Sequence, residues 1–418
     1  MAMTNRFPPK GRTRDEILAE LEAGKGEDVD WRGGRIGLYT HFGGDDVLEI
    51  AKDASRMYFS ENALGASAFP SLARLENDVI AWTLGLLNGG DDAAGSMTSG
   101  GTESILMGVK TARDWARDTH PDVDKPVVVA PYSAHPAFNK AAHYLGIEVK
   151  RMPVGDDFRA DVGRMAEAID DRTIMLVASA PQFAHGVIDP ISDIAELAQD
   201  RNLWLHVDAC VGGFIAPFAR KLGRLVPPFD FTVPGVKSMS ADLHKYGFTA
   251  KGASTFLLSN QAHRKYQVFE FDEWSRGHYV SPTIPGSRPG GPIAAAWAVL
   301  SYLGWDGYLR IAGELLDAID RLKAGITAID GLTIIGDPPL TILSYTSEDC
   351  DIRAVAKAMT NRGWFVTRSA DPRAIHMGML TMTHVPIVDQ YLSDLTRSVE
   401  EAKSGAIEIT EQAITYGG

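Results

Sequence analysis

Apolar residues recur at three- and four-residue spacing across 46–59, 72–88, 103–118, 136–145 and 162–170, which predicts a series of amphipathic helices. Short β-rich runs lie among and after them, at 127–130, 148–152, 174–178, 203–207 and 254–258. Strands alternating with helices in this way predict an α/β domain built on a mostly parallel sheet. In open sheets of that kind ligands gather at the carboxyl ends of the strands. Residues 133–135, 182–186 and 208–213 each lie just beyond such a run and are the segments expected to build a site.

The pattern differs towards both ends. Residues 13–24 open with Thr-Arg-Asp-Glu and read as a short amphipathic helix with acidic residues near its start. The Gly-rich segment 33–44 reads as an exposed, extended arm. Residues 272–291, DEWSRGHYVSPTIPGSRPGG, form a Pro/Gly-rich loop of a length that is usually functional or mobile. Arm and loop are the segments expected to frame an entrance. A helix at 293–303 is followed by a helix near 312–329, strands at 332–335 and 340–345, and a helix near 352–362. The expected division is an N-terminal helix and arm over 1–50, a large domain over 51–309 and a small α+β domain over 310–418.

Charge and composition narrow the function. The chain has 418 residues, 45% hydrophobic and 23% charged, with a net charge of −13. Phosphate neutralisation along nucleic acid needs Lys and Arg in excess, so no nucleic-acid partner is expected. A local cationic pocket for an anionic substrate stays compatible with this balance. Two cysteines, Cys210 and Cys350, do not make a disulfide framework, and the expected compartment is the reducing cytoplasm. Residues 1–14 have no apolar core, so no secretory signal is expected. The longest uncharged stretch, 289–305, starts Pro-Gly-Gly-Pro and is short for a membrane span, so no integral membrane segment is expected.

The candidate chemistry lies in two segments. His206-Val-Asp208-Ala puts a carboxylate at the end of an apolar strand, and Ser240-Ala-Asp-Leu-His244-Lys245-Tyr246-Gly247 puts a lysine 37 residues later. A pyridoxal cofactor needs both. The lysine amine forms a Schiff base that a substrate amine can displace, and the carboxylate keeps the pyridine nitrogen protonated so that the ring accepts electrons. Taken singly, Asp208 reads better as a buried capping residue and Lys245 as an unrelated surface lysine. Their combination with two further segments favours the cofactor. Met97-Thr-Ser-Gly100-Gly101-Thr102-Glu103-Ser104 precedes a helix, where small residues and a helix N-terminus suit an anion, although a plain capping box has the same appearance. Ser133-Ala-His135 places an imidazole at a strand end, as a ring-stacking group or as a histidine bonded to a loop carbonyl. The eleven histidines show no H-E-x-x-H or paired Cys/His spacing, so no metal is expected. No G-x-S-x-G nucleophile elbow is present.

These segments resemble the fold-type I pyridoxal-phosphate enzymes, in their group II decarboxylase-like branch. Within it the chain is most similar to the sphingosine-1-phosphate lyase family, and to its soluble bacterial members. The resemblance rests on TSGGTESILM (98–107), SAHPAFNKAA (133–142), PQFAHGVIDP (181–190), HVDACVGGF (206–214), SADLHKYG (240–247) with KG (251–252), and SPTIPGSRPGG (281–291). Gly363-Trp364 and Ile375-His376 extend it into the tail. It implies a transferase-like large domain, pyridoxal 5'-phosphate as cofactor, and a homodimer with shared active sites. It assigns Lys245 to the Schiff base, Asp208 to the ring nitrogen and His135 to the ring face. Gly101, Thr102 and His244 would hold the cofactor phosphate, joined by Gly286 and Ser287 of a second subunit. Lys251, Tyr39 and Asn62 would bind the substrate.

One departure stands out. The family's N-P-L-H segment, which reaches the substrate phosphate from the partner chain, is here Asn62-Ala-Leu-Gly65. The reaction the resemblance implies is retro-aldol cleavage of a phosphorylated sphingoid base to a fatty aldehyde and phosphoethanolamine, with Lys245, Lys251 or a tyrosine as base. The alternative is an amino-acid decarboxylase, which would keep Lys245 and Asp208 but release carbon dioxide. A cofactor-free binding protein is the third reading, and intact Lys245 speaks against it.

Overall fold

The computed structural model describes residues 7–409, with residue 9 excepted; the outer ends of the first and last expected domains, 1–6 and 410–418, lie outside the described residues. Seven strands build the main sheet: β1 (Ala94–Thr98), β2 (Val127–Pro131), β3 (Glu148–Met152), β4 (Thr173–Ser179), β5 (Trp204–Asp208), β6 (Val236–Ala241) and β7 (Ser254–Leu258). Their order is β1-β7-β6-β5-β4-β2-β3. Only β7 runs against its neighbours, so β1 to β6 all end on one edge.

Side chains alternate across this sheet as strand geometry requires. Val127 and Val129 enter the core on one face with Leu176, Leu205 and Val207. Val128 and Ala130 enter the core on the other with Met175, Val177 and Trp204. Both faces are covered, which is why β2, β4 and β5 read as nearly unbroken apolar runs. Strands β1 (AGSMT) and β6 (VKSMSA) are absent from the sequence reading, because small and polar residues replace the aliphatic signal. The helices Ile191–Asp200 and Val388–Lys403 were likewise not singled out.

The helices at 293–303 and 312–329 are present as one run, Gly290–Thr327, broken at Gly304, whose φ of 52° interrupts the helical backbone. The 272–291 segment is less irregular than expected. Strand β9 (Tyr279–Ser281) lies in it and pairs with β8 (Phe269–Phe271) as a hairpin. A four-stranded antiparallel sheet follows, ordered β10-β11-β13-β12, from β10 (Leu332–Ile334), β11 (Ile342–Ser347), β12 (Thr367–Ala370) and β13 (Arg373–Met379).

The helix Arg14–Gly24 forms with a Thr13–Glu16 capping box, but none of its residues is buried. The arm that follows is not the exposed strap expected. Ile36 and Leu38 are buried, Ile36 bridges Phe365, and the amides of Met379 and Met382 donate to the carbonyls of Gly37 and Phe42. These backbone bonds lay the arm along the small sheet, with Gly43 against the Phe248 ring beyond Lys245. No helix among the described residues is long and apolar enough to cross a membrane.

Candidate active site

The strand ends converge on one cavity of about 400 Å³, whose walls include Gly101, Thr102, His135, Asp208, His244 and Lys245. From β1 the chain turns at Ser99-Gly100 into the helix Gly101–Thr119. A Cβ on Gly101 would lie 2.8 Å from Cys210 Sγ and 2.9 Å from Asp242 Oδ2, so only glycine lets this helix N-terminus come so close to the floor. No side chain caps the helix, so the capping box that the segment could equally have formed is not made. Instead Glu103 Oε2 accepts from the Ser99 amide at 2.7 Å, and Oε1 accepts from the Ile284 amide at 3.1 Å.

From β2 the chain enters Ser133-Ala-His135, and Arg151 on β3 holds that turn. Its guanidinium donates to the carbonyls of Pro131 (3.0 Å), Ala134 (2.6 Å) and His135 (3.3 Å). His135 Nδ1 accepts from the Ala137 amide at 3.1 Å, which leaves the ring proton on Nε2. Burial lowers the pKa of His135 against the pull of Asp208, so the ring is neutral.

Asp208 ends β5. Its Oδ1 accepts from the Cys210 amide at 3.0 Å and from Ser240 Oγ at 3.2 Å. His206, two residues earlier, is a core residue instead: Nδ1 is 2.8 Å from Ser238 Oγ, and burial brings its pKa down to about 4.

Beyond β6, Asp242 to Gly247 form the turn that carries Lys245. Gly247 closes it, since a Cβ there would lie 2.3 Å from the Leu243 carbonyl oxygen. Lys245 Nζ pairs with Asp242 Oδ2 at 2.9 Å. Burial opposes charge on Lys245, but Asp242, with Cys210 and Asp208 behind it, outweighs that and raises the amine above the usual lysine range. Burial likewise opposes the charge on Asp242, and Lys245 and His244 more than offset it, so the carboxyl titrates below its ordinary value. Lys251 approaches from the segment before β7, where Nζ donates to the His244 carbonyl at 2.9 Å and to His41 Nδ1 at 3.1 Å. Burial and the nearby Lys245 charge bring Lys251 down to about 8.

The cavity suits a pyridoxal phosphate. It offers a glycine cradle at a helix N-terminus, a lysine amine and a carboxylate. Asp242 Oδ1 and His244 Nδ1 are buried there without a hydrogen-bond partner among the described residues. Buried polar atoms normally have partners, and unpaired ones mark a place for a ligand.

Lys245, Asp208, His135, Gly101, Thr102 and His244 therefore share one cavity, with Lys251 bonded at its margin. Tyr39, Asn62, Gly286 and Ser287 do not line it within one chain. Tyr39 is half exposed with its ring edge-on to Phe365. Asn62 Nδ2 donates to Ser287 Oγ at 3.0 Å, which joins these two expected residues to each other. Asp242, Arg151 and His41 were not singled out as site residues. Asp242 lies inside the SADLHKYG segment and His41 two residues beyond Tyr39, but only the fold reveals their partners.

Residues 44–346 match the pyridoxal-dependent decarboxylase conserved domain, and the fold is that of the fold-type I pyridoxal-phosphate enzymes. Within that class the chain belongs to the sphingosine-1-phosphate lyase family. It is 43% identical over 397 residues to a sphingosine-1-phosphate lyase of Oryza sativa subsp. japonica, covering 93% of this chain and 73% of that one. It is 42% identical over 415 residues to one from Arabidopsis thaliana, covering 97% and 76%. The structure of a Burkholderia pseudomallei sphingosine-1-phosphate lyase superposes with a TM-score of 0.92 at 36% identity, covering 96% of this chain and 94% of that one.

Proposed function

We propose that this chain is a pyridoxal-phosphate-dependent carbon–carbon lyase that cleaves sphingosine 1-phosphate to a fatty aldehyde and phosphoethanolamine. The observation that carries the reading is the pairing of two lysines at one cavity. Lys245 lies inside it beside Asp242, and Lys251, six residues on, is bonded to the His244 backbone at its margin. A substrate with both an amine and a phosphate fits that division.

When bound, the pyridoxal group supplies an electron sink for a bond broken at the amine-bearing carbon. Lys245 would hold it covalently through its amine, and Gly101, Thr102 and His244 would hold its phosphate. His135, neutral and fixed by the Ala137 amide, would cover the ring face. Both hydrogen bonds to the Asp208 carboxylate among the described residues fall on Oδ1, and Oδ2 would hold a proton on the ring nitrogen. Net cleavage breaks C2–C3, takes the C3 hydroxyl proton and delivers a proton to C2. Lys251, with its pKa near 8, keeps its ammonium at neutral pH and would serve the phosphate end of the substrate. Tyr246 is not suited to move the C3 proton, because its hydroxyl donates to the Leu380 carbonyl at 2.9 Å and burial raises its pKa.

A second cavity of about 450 Å³ shares His135 and Phe183 with the first and is walled by Leu38, Pro136, Ala184 and Ala370. It gives room for an alkyl chain. We also read the chain as a homodimer with shared sites. Asn62, Gly286 and Ser287 lie together but off the Lys245 cavity, and Met57 and Phe59 nearby in sequence are 75% and 84% exposed. Cytoplasmic residence agrees with two unpaired cysteines.

Purified protein saturated with cofactor is expected to release fatty aldehyde from sphingosine 1-phosphate. Absence of aldehyde under those conditions defeats the lyase assignment. An amino-acid decarboxylase is the second reading, favoured by Gly65 in place of a phosphate-binding histidine, and carbon dioxide release from amino acids would establish it.

A further inference from the structure

We propose that His41 is a positioning residue for Lys251: it accepts one N–H of the Lys251 ammonium and so directs the uncommitted N–H at the anionic end of the substrate. The inference rests on the reading of Lys251 as a phosphate ligand.

An ammonium has three N–H donors and no acceptor. Lys251 gives one to the His244 carbonyl at 2.9 Å and one to His41 Nδ1 at 3.1 Å, which leaves a single donor. Two anchors from different parts of the chain turn a flexible four-carbon stem into a directed donor. The arm is itself fixed: the Met382 amide donates to the Phe42 carbonyl at 3.1 Å, and the His41 ring stands edge-on to Tyr246 at 6.0 Å.

The tautomer follows from the same contact. Because His41 accepts at Nδ1, its proton sits on Nε2, and Nε2 is buried with no partner among the described residues. The ring therefore forgoes one hydrogen bond in keeping the bond to Lys251. Neutrality of His41 is enforced from every side. Burial, Lys251, Lys245, His244 and His384 all depress its pKa. Lys251 in turn faces His41 and the His244 carbonyl, with Lys245 opposing its charge and Asp242 favouring it. A neutral acceptor bonded to the charged form of Lys251 favours that form.

His41→Phe keeps an aromatic ring against Tyr246 and removes the acceptor, whereas His41→Gln restores an acceptor. In holoenzyme, His41→Phe is expected to raise both KM for sphingosine 1-phosphate and the inhibition constant of inorganic phosphate by about tenfold, with kcat within about threefold. The alkaline limb of kcat/KM should move to lower pH, and His41→Gln should lie near the parent on all these measures. Unchanged KM, phosphate inhibition and alkaline limb in His41→Phe, or no rescue by His41→Gln in protein with normal cofactor absorbance, overturns the proposal. Titration of Lys251 by NMR in lysine-labelled holoenzyme needs no turnover. A lower Lys251 pKa in His41→Phe supports the positioning role even if the parent releases no aldehyde, and an equal pKa overturns it even if the lyase reading holds.

Discussion

Lys245 Nζ lies 2.9 Å from Asp242 Oδ2, three residues earlier on the same turn, so the lysine's ion-pair partner is not the carboxylate at the end of β5. Asp242 is only 1% exposed, and its other oxygen has no partner among the described residues. Asp242 is thus the enclosed member and the Lys245 side chain is 22% exposed, so removing Lys245 leaves an uncompensated buried charge and removing Asp242 leaves a partly exposed one. Measured in denaturant on cofactor-free protein, Lys245→Ala and Asp242→Asn should each cost stability, by about 3–5 kcal/mol where the remaining charge stays buried. The double variant should lose clearly less than the sum of the two. Strict additivity would show that the pair is not coupled in solution. Lys245→Ala should also abolish turnover and the cofactor's lysine-dependent absorbance, which separates this chain from a cofactor-free binding protein.

Lys251 titrates near 8 because burial and Lys245 disfavour its charge. Its ammonium is present below that pH and lost as pH rises through it. The value of kcat/KM for a phosphorylated substrate should therefore fall above about pH 8. Lys251→Arg should carry the limb to much higher pH, since a guanidinium stays charged. Lys251→Ala should flatten it at a low value. For stability the sign is opposite. Between about 8 and the ordinary lysine value of 10.5 the unfolded chain binds more protons at this site, so this group's contribution to stability rises with pH over that window. A pH–rate profile identical in the parent and Lys251→Arg would remove Lys251 from the reaction.

Arg151 reaches back from β3 to the carbonyls of the His135 turn, and it also bonds Asn139 Oδ1 at 2.9 Å. A lysine has one nitrogen and cannot span these acceptors. Arg151→Lys should leave cofactor binding intact but loosen the turn, lowering stability by about 1–3 kcal/mol and kcat by more than KM changes. A crystal structure of the variant with His135 unmoved and kcat unchanged would count against this role.

Much of the sheet was legible because its central strands are covered on both faces. Val127 to Val129 and Ile174 to Val177 are all buried, and that condition writes itself as aliphatic runs. Strand β1 was not legible for a physical reason. A Cβ on Gly95 would lie 2.7 Å from a Leu257 methyl, so the strand that feeds the glycine turn is made of small residues without strand signal. In β6, Ser238 and Ser240 are buried but serve His206 and Asp208. The site follows the same division. Lys245, Asp208 and His135 announce themselves by motif. The partners of Asp242, Arg151 and His41 are set by the fold, and His41 meets a lysine 210 residues away.

Gly65 is the position that most directly tests how the phosphate end of the site is built. It follows a turn pinned by Asn62, whose Oδ1 accepts from the Leu64 amide at 3.0 Å and the Arg288 amide at 3.2 Å, while the Gly65 amide donates to the Asn62 carbonyl at 3.1 Å. Nothing here requires glycine. Gly65 is not among the residues with positive φ, and a Cβ would meet no atom closer than Ala68 Cβ at 3.6 Å. Gly65→His should therefore fold, with stability unchanged or raised by about 0.4–1 kcal/mol through the less flexible unfolded chain. If sites are shared between subunits, the new imidazole adds a donor to the neighbouring subunit's substrate phosphate, and KM for sphingosine 1-phosphate should fall by about tenfold. Mixed dimers decide the direction of sharing. A subunit carrying Lys245→Ala and Gly65→His should improve KM at the intact Lys245 of its companion. The same Gly65→His change placed on the intact subunit, opposite a Lys245→Ala companion, should not. The reverse pattern, with KM improved only when Gly65→His and the intact Lys245 lie on one subunit, would mean that each chain completes its own site, and equal KM in both mixed dimers would mean that residue 65 does not reach the phosphate.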